Sequence, residues 1–226
     1  MPPKRKAATM SSEVLVPKKV KVQKRKQEVH KANKEKETRQ TWFDRYADPD
    51  TRDMISPDGC QQFFTDLGVD LESVVPLVVG WKINSKRMGY MTQQEFMQAM
   101  ATYNITTPDE FKKLLKAWEI SLDDPDQFRQ LYLFSFNHVK SSGQKSMDVE
   151  TAIALWNLLL TPKYPIIHSF IQFLQEKKPV KVINKDQWSS LLDFCKAVPE
   201  DLSQYDCTSS WPVLFDDYVE WHIHCK

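Results

Sequence analysis

Glycine is scarce in this 226-residue chain, with only five residues. That excludes a turn-dense β architecture and leaves no Gly-rich loop to cradle a phosphate. The four cysteines, Cys60, Cys195, Cys207 and Cys225, make neither a CxxC pair nor a zinc-finger spacing, so no redox dithiol or zinc site is encoded and inert reduced thiols are expected. No apolar run nears the roughly 18 residues of a membrane helix, and neither a signal peptide nor a membrane partner is expected. The histidines, His30, His138, His168, His222 and His224, are scattered and fit no nucleophile-elbow or HExxH frame. Acid pairs such as Asp216-Asp217 are sequence neighbours, which point apart on a helix. The chain is therefore expected not to be an enzyme, and no metal or cofactor is implied.

Charge is present but unevenly placed. Residues 1–40 carry 13 Lys/Arg against 4 Glu, a balance of +9, and the remainder carries 18 basic and 26 acidic residues, a balance of −8. An acidic body repels nucleic acid and suits a basic protein partner. Residues 1–37 lack Phe, Tyr and Trp, too little apolar surface to offset the entropy of ordering, and are expected as a disordered basic tail. Within it, Lys4, Arg5 and Lys6 follow Pro3, and Lys18, Lys19, Lys21, Lys24, Arg25 and Lys26 follow Pro17. Such clusters suit the acidic groove of an import receptor, which makes the nucleus the expected location with the cytoplasm second. A nucleic-acid arm and plain solubilising charge are the competing explanations.

The body, residues 38–226, has apolar residues at helical spacing throughout and no long strict alternation, so the expected class is all-α with about nine or ten helices. Thr92 with Glu95, and Thr107 with Pro108 and Glu110, read as helix starts. The apolar run over residues 71–82 reads as a buried helix. Between two such helices, Asn84 to Glu95 has the skeleton of a calcium-binding EF-hand loop, with Gly89 at its turn and Met91 at the apolar position. Its early ligand positions, though, hold Asn84, Lys86 and Met88, and an ammonium and a thioether supply no oxygen to calcium. A weaker copy begins at Asp48, with Asp53 at the turn and Gly59 at the end. Two such units can pair through Ile55 and Met91 without an ion.

The stretch from Tyr46 to Trp221 resembles the defective-in-cullin-neddylation family. The resemblance rests on Gln61-Gln62-Phe63-Phe64, Val78-Val79-Gly80-Trp81-Lys82, Gln94-Glu95-Phe96-Met97 and Ala152 to Leu158. It extends through Lys185-Asp186-Gln187-Trp188, Leu191 to Phe194, and Trp211-Pro212-Val213-Leu214-Phe215-Asp216-Asp217. It implies a potentiating-neddylation domain of two EF-hand-like helical subdomains without calcium ligands. It also implies a co-ligase without catalytic residues, which holds an N-terminally acetylated neddylation conjugating enzyme beside the winged-helix end of a cullin and its RING subunit.

Carried over residue by residue, the cullin-binding patch falls on Asp186, Ser210 and Asp216, with serine where the family usually has alanine. The two aspartates could instead serve only to cap their helices. The groove for the acetyl-methionine falls on Ile55, Pro57, Cys60, Pro76, Val79, Met88, Gly89, Met91, His138 and Leu158. Pro57, Pro76, Met88, Gly89 and His138 depart from the commoner family pattern. Two alternatives stand beside this reading: an inhibitory cullin-binding member that does not activate the conjugating enzyme, and a nuclear helical protein associated with nucleic acid.

Overall fold

The computed structural model describes residues 18–141 and 143–224, with side chains from residue 27 onward. It begins with α1 (Lys18–Asp44), β1 (Met54–Ile55), α2 (Pro57–Leu67), α3 (Val75–Lys82), β2 (Met91–Thr92) and α4 (Gln93–Thr102). There follow α5 (Pro108–Ile120), α6 (Pro125–Val139), β3 (Met147–Asp148), α7 (Val149–Leu159), α8 (Ile166–Lys177), β4 (Val182–Ile183), α9 (Lys185–Ala197) and α10 (Val213–His224). Ten α-helices among the described residues make the chain all-α but for two short ribbons. Among the described residues, no helix is long and apolar enough to cross a membrane.

Local chemistry starts the helices. Thr92 and Glu95 close a reciprocal capping box on α4, and Thr107 and Glu110 do the same for α5, where Pro108 supplies the first turn. Asp124 caps α6 by accepting from the amides of Asp126 and Gln127. One expected start moves. Residues 71–74, expected as part of a helix, form a turn in which the Asp70 carboxylate accepts from the Glu72 amide at 2.9 Å and the Asp70 backbone carbonyl from the Ser73 hydroxyl at 2.6 Å. That Asx geometry competes with the helix, and α3 starts only at Val75, next to Pro76.

The expected tail divides in two. Residues 1–17, with Lys4, Arg5 and Lys6, lie outside the described residues. Residues 18–37 continue α1, so the backbone of the second basic cluster is helical rather than extended. Residues 18–44 contain no Pro or Gly to stop a run of Lys, Glu, Gln and Arg. The first part of α1 gains little from packing: residues 27–34 are all exposed, and burial begins at Arg39, Trp42 and Phe43.

Two ribbons organise the body. Ile55 pairs with Met91 and Met54 with Thr92 in an antiparallel ribbon, the pairing expected of the first two loops. It joins the strand–helix units β1–α2 and β2–α4. A second ribbon, Met147 with Ile183 and Asp148 with Val182, repeats the plan for β3–α7 and β4–α9. The core follows the same division. In the first half Trp42 meets Phe63, Phe96 and Phe111 at ring distances of 5.1 to 5.8 Å. In the second, Trp188 stacks on Tyr132 at 4.6 Å and on Trp156 at 5.5 Å. The Trp188 indole donates to the Tyr132 carbonyl, and the Tyr132 hydroxyl donates to the Trp188 carbonyl. These buried polar atoms are thereby satisfied where loss would be costly.

Candidate functional site

The first candidate is a cavity of about 230 Å³ between α2, α3, α6 and the loop over residues 83–91. Pro57, Cys60, Pro76, Val79, Met88, Gly89, Met91 and His138 all line it, eight of the ten residues assigned to the groove. Ile55 and Leu158 do not. Ile55 is fully buried and pairs in the ribbon with Met91, and Leu158 is half-buried on α7. The floor is buried, with Cys60, Val79, Met91 and His138 all covered, whereas Met88 and Leu71 stand half-exposed at the rim. Burial pushes the Cys60 thiol up to about 11, so it is an apolar lining group at neutral pH and not a nucleophile.

His138 is the polar element of that floor. Its Nδ1 lies 3.0 Å from the Ser85 carbonyl, which can only accept, so Nδ1 carries the proton. Burial disfavours the imidazolium and lowers the pKa, against weaker opposite pulls from the Ser85 carbonyl and Glu95. The ring fits because position 80 is glycine: a Cβ there would stand 2.7 Å from His138 Nε2. Sequence reasoning did not place Gly80 on the groove. A glycine inside an apolar helical run was the signal that could have found it.

The wall of the cavity is the failed calcium loop. Ser85 ties it internally by donating to the carbonyls of Arg87 and Tyr90 at 3.1 and 3.0 Å. Gly89 takes φ +75° at the turn, a conformation that favours glycine. Glu95, at the position of the calcium-binding carboxylate, instead accepts from the amides of Lys86 and Thr92 at 3.1 and 2.8 Å. Two backbone N–H groups of the loop are thereby tied to one carboxylate at the start of α4. Arg87 lies over the Tyr90 ring at 3.7 Å, and both line the cavity, which adds a cationic residue to a lining that is mostly apolar. A larger cavity of about 570 Å³ is lined in part by Asp53, Lys82, Lys86, Gln93 and Glu95. Its mixed charges match no expectation drawn from the sequence.

The second candidate is the acidic patch at the carboxyl end. Asn184 and Gln187 close a capping box on α9, so Asp186 is not the cap; its carboxylate lies exposed in the first turn. Ser210 is exposed at the end of the loop leading to α10, and Asp216 is half-buried in the first turn of α10. Ser210 and Asp216 share an anchor: Trp211 packs edge-on against Phe194 at 5.3 Å, and Phe215 meets the same ring at 5.1 Å. Asp186 lies in the first turn of the helix that carries that ring, eight residues before Phe194. Trp211 and Phe215, the neighbours of Ser210 and Asp216, thus both meet one ring of α9. Tyr205, which sequence reasoning missed, donates its hydroxyl to Asp216 Oδ1.

Comparison with known proteins adds the family. A family model described as "Cullin binding" matches residues 110–221. Human DCN1-like protein 4 is 39% identical over 181 residues, covering 80% of this chain and 61% of the relative. Drosophila melanogaster DCN1-like protein 4 is 37% identical over 180 residues, 80% of this chain and 72% of the relative. Bos taurus DCN1-like protein 5 is 35% identical over 181 residues, 80% and 75% respectively. The chain belongs to this DCN1-like family. It spans about three fifths of the length of the human relative.

Proposed function

We propose that this chain, as a DCN1-like protein, is a non-enzymatic scaffold for cullin neddylation, with its two candidate sites holding two different partners. The groove takes the acetylated N-terminal methionine of the neddylation conjugating enzyme. The acidic patch takes basic side chains at the winged-helix end of a cullin and on its RING subunit. Holding a thioester and its acceptor lysine together raises their effective concentration, which accelerates transfer without any new catalytic group. The basic clusters before residue 27 add recognition by an import receptor and residence in the nucleus to the proposal.

The observation that carries it is the meeting of eight assigned groove residues in one cavity with a buried floor. A cavity near 230 Å³ suits a side chain rather than a drug-sized ligand. Acetylation matters here for two physical reasons. A free ammonium would have to be desolvated on entering an apolar floor, and it would meet the guanidinium of Arg87. An acetylated terminus is neutral and escapes both costs. Calorimetric titration with a conjugating-enzyme peptide, acetylated and unacetylated, tests this. The unacetylated peptide is expected to bind at least roughly tenfold more weakly; equal affinity would sink the assignment of the groove.

A further inference from the structure

The polar loop between α9 and α10 is held by more than its two end helices. Asp206 accepts from the amide and hydroxyl of Thr208 at 2.8 and 2.7 Å and from the Ser209 hydroxyl at 3.3 Å, closing a local turn. The same contacts hold the Asp206 carboxyl below its usual range. Leu202 takes a positive φ of 59°, and its carbonyl accepts the Tyr205 amide at 3.0 Å. The Tyr205 ring packs on Phe194 at 6.3 Å, the ring that also carries Trp211 and Phe215. From that position the phenol hydroxyl reaches Asp216 Oδ1.

Burial, and then the Asp216 carboxylate, hold the Tyr205 phenol well above its ordinary range. It therefore remains a protonated donor at neutral pH, and the bond to the carboxylate is charge-assisted. A half-buried aspartate in a first helical turn would otherwise sample several χ1 wells. With Oδ1 committed, the carboxylate is held in one orientation relative to the loop that carries Ser210.

We infer that Tyr205 is a positioning residue for the acidic patch: its hydroxyl presets the Asp216 carboxylate and locks the Ser210 loop to α10 before a basic partner arrives. This rests on the proposed reading of the patch and deepens it. A pre-set carboxylate loses less freedom on binding than a mobile one, so affinity is gained without Tyr205 touching the partner.

The test is a double-mutant cycle on the full chain, read as affinity for a cullin winged-helix fragment by calorimetry. Tyr205→Phe keeps the ring on Phe194 and removes only the hydroxyl; it is expected to weaken binding roughly three- to tenfold. In an Asp216→Ala background the same change is expected to have no further effect, because the group it positions is gone. A merely structural role in the loop would weaken binding equally in both backgrounds, and that result would overturn the inference. So would an unchanged affinity for Tyr205→Phe beside a weakened Asp216→Ala. Full binding by Asp216→Ala would remove the reading of the patch itself, and the role of Tyr205 with it.

Discussion

In the proposed function the groove and the acidic patch recognise by opposite means. The groove is a cavity with a buried floor that leaves no room for a Cβ at position 80, and in the proposed function it selects a neutral terminus over a charged one. The patch is open, with Asp186 and Ser210 exposed and Asp216 half-buried, and its proposed affinity comes from the two carboxylates at the starts of α9 and α10. A buried site depends on the fold around it, so a distant packing error can close it. An exposed charged site tolerates packing changes but not a change of sign. The two sites should therefore fail separately.

Reversing the patch charge should give the largest effect. Asp216→Arg both opposes a basic partner and removes the acceptor of Tyr205. Binding to a cullin winged-helix fragment is expected to fall at least thirtyfold, or about 2 kcal/mol. Affinity for the acetylated peptide should stay within about twofold, since sites without shared partners behave independently. Loss of both activities together would mean that the two regions are not separable.

Gly80→Ala should produce the reverse pattern. Its Cβ would meet the His138 ring at 2.7 Å. Overpacking of this kind costs about 1–3 kcal/mol, enough to weaken the acetylated peptide roughly tenfold or more. Cullin-fragment affinity should not change. Undiminished peptide binding would show that the cavity can relax, and that close packing at this point is not what selects the ligand.

Acid should act on the groove half more gently. The pKa of His138 is lowered by burial, so the folded protein binds fewer protons than the unfolded chain just below the ordinary value of about 6.5. The stability linked to neutral His138 is fully present above that value. It is lost as pH falls from there to the lowered pKa, and further acid removes no more through this group. His138→Phe should flatten that part of the pH dependence in urea midpoints measured between pH 7.5 and 5. Parallel curves for the two proteins would contradict the buried neutral ring.

The smallest effect should come from the ion pair of Arg129 on α6 with Asp193 on α9, 2.5 Å apart with side chains 38% and 47% exposed. Water screens such a pair, and Asp193→Asn should cost under about 1 kcal/mol of stability without altering either binding site. A larger loss would show that the helix supporting the patch depends on surface charge more than on its aromatic anchors.

The sequence made local features legible and long-range ones much less so. The capping residues at Thr92 and Thr107 mark helix starts because the signal and its structure lie within four residues. The first ribbon was legible for a different reason: the twelve-position loop skeleton names Ile55 and Met91 as the paired apolar positions. The second ribbon carries no such mark. The same count around Met147 puts Lys145 at the turn and Thr151 at the end; around Ile183 it puts Lys181 and Gln187.

The candidate sites divide similarly. Groove residues far apart in sequence, such as Cys60 and His138, could be assigned together only through the family resemblance, and the cavity then brought most of them together. Ile55 has the right chemistry but does not line the cavity, although its ribbon partner Met91 does. Tyr205 went unread because a tyrosine in a polar loop gives no sequence sign of which carboxylate its hydroxyl will meet.

The central claim, that one chain holds two partners in order to speed transfer, is tested most directly by reconstituted cullin neddylation with purified components. The rate of modifier transfer from an N-terminally acetylated conjugating enzyme would be measured with and without this protein. The account predicts faster transfer with the wild-type chain, and no acceleration with either Gly80→Ala or Asp216→Arg. A rate unchanged or slowed by the wild-type chain would contradict it, and slowing would identify an inhibitory member that binds cullin without activating the conjugating enzyme.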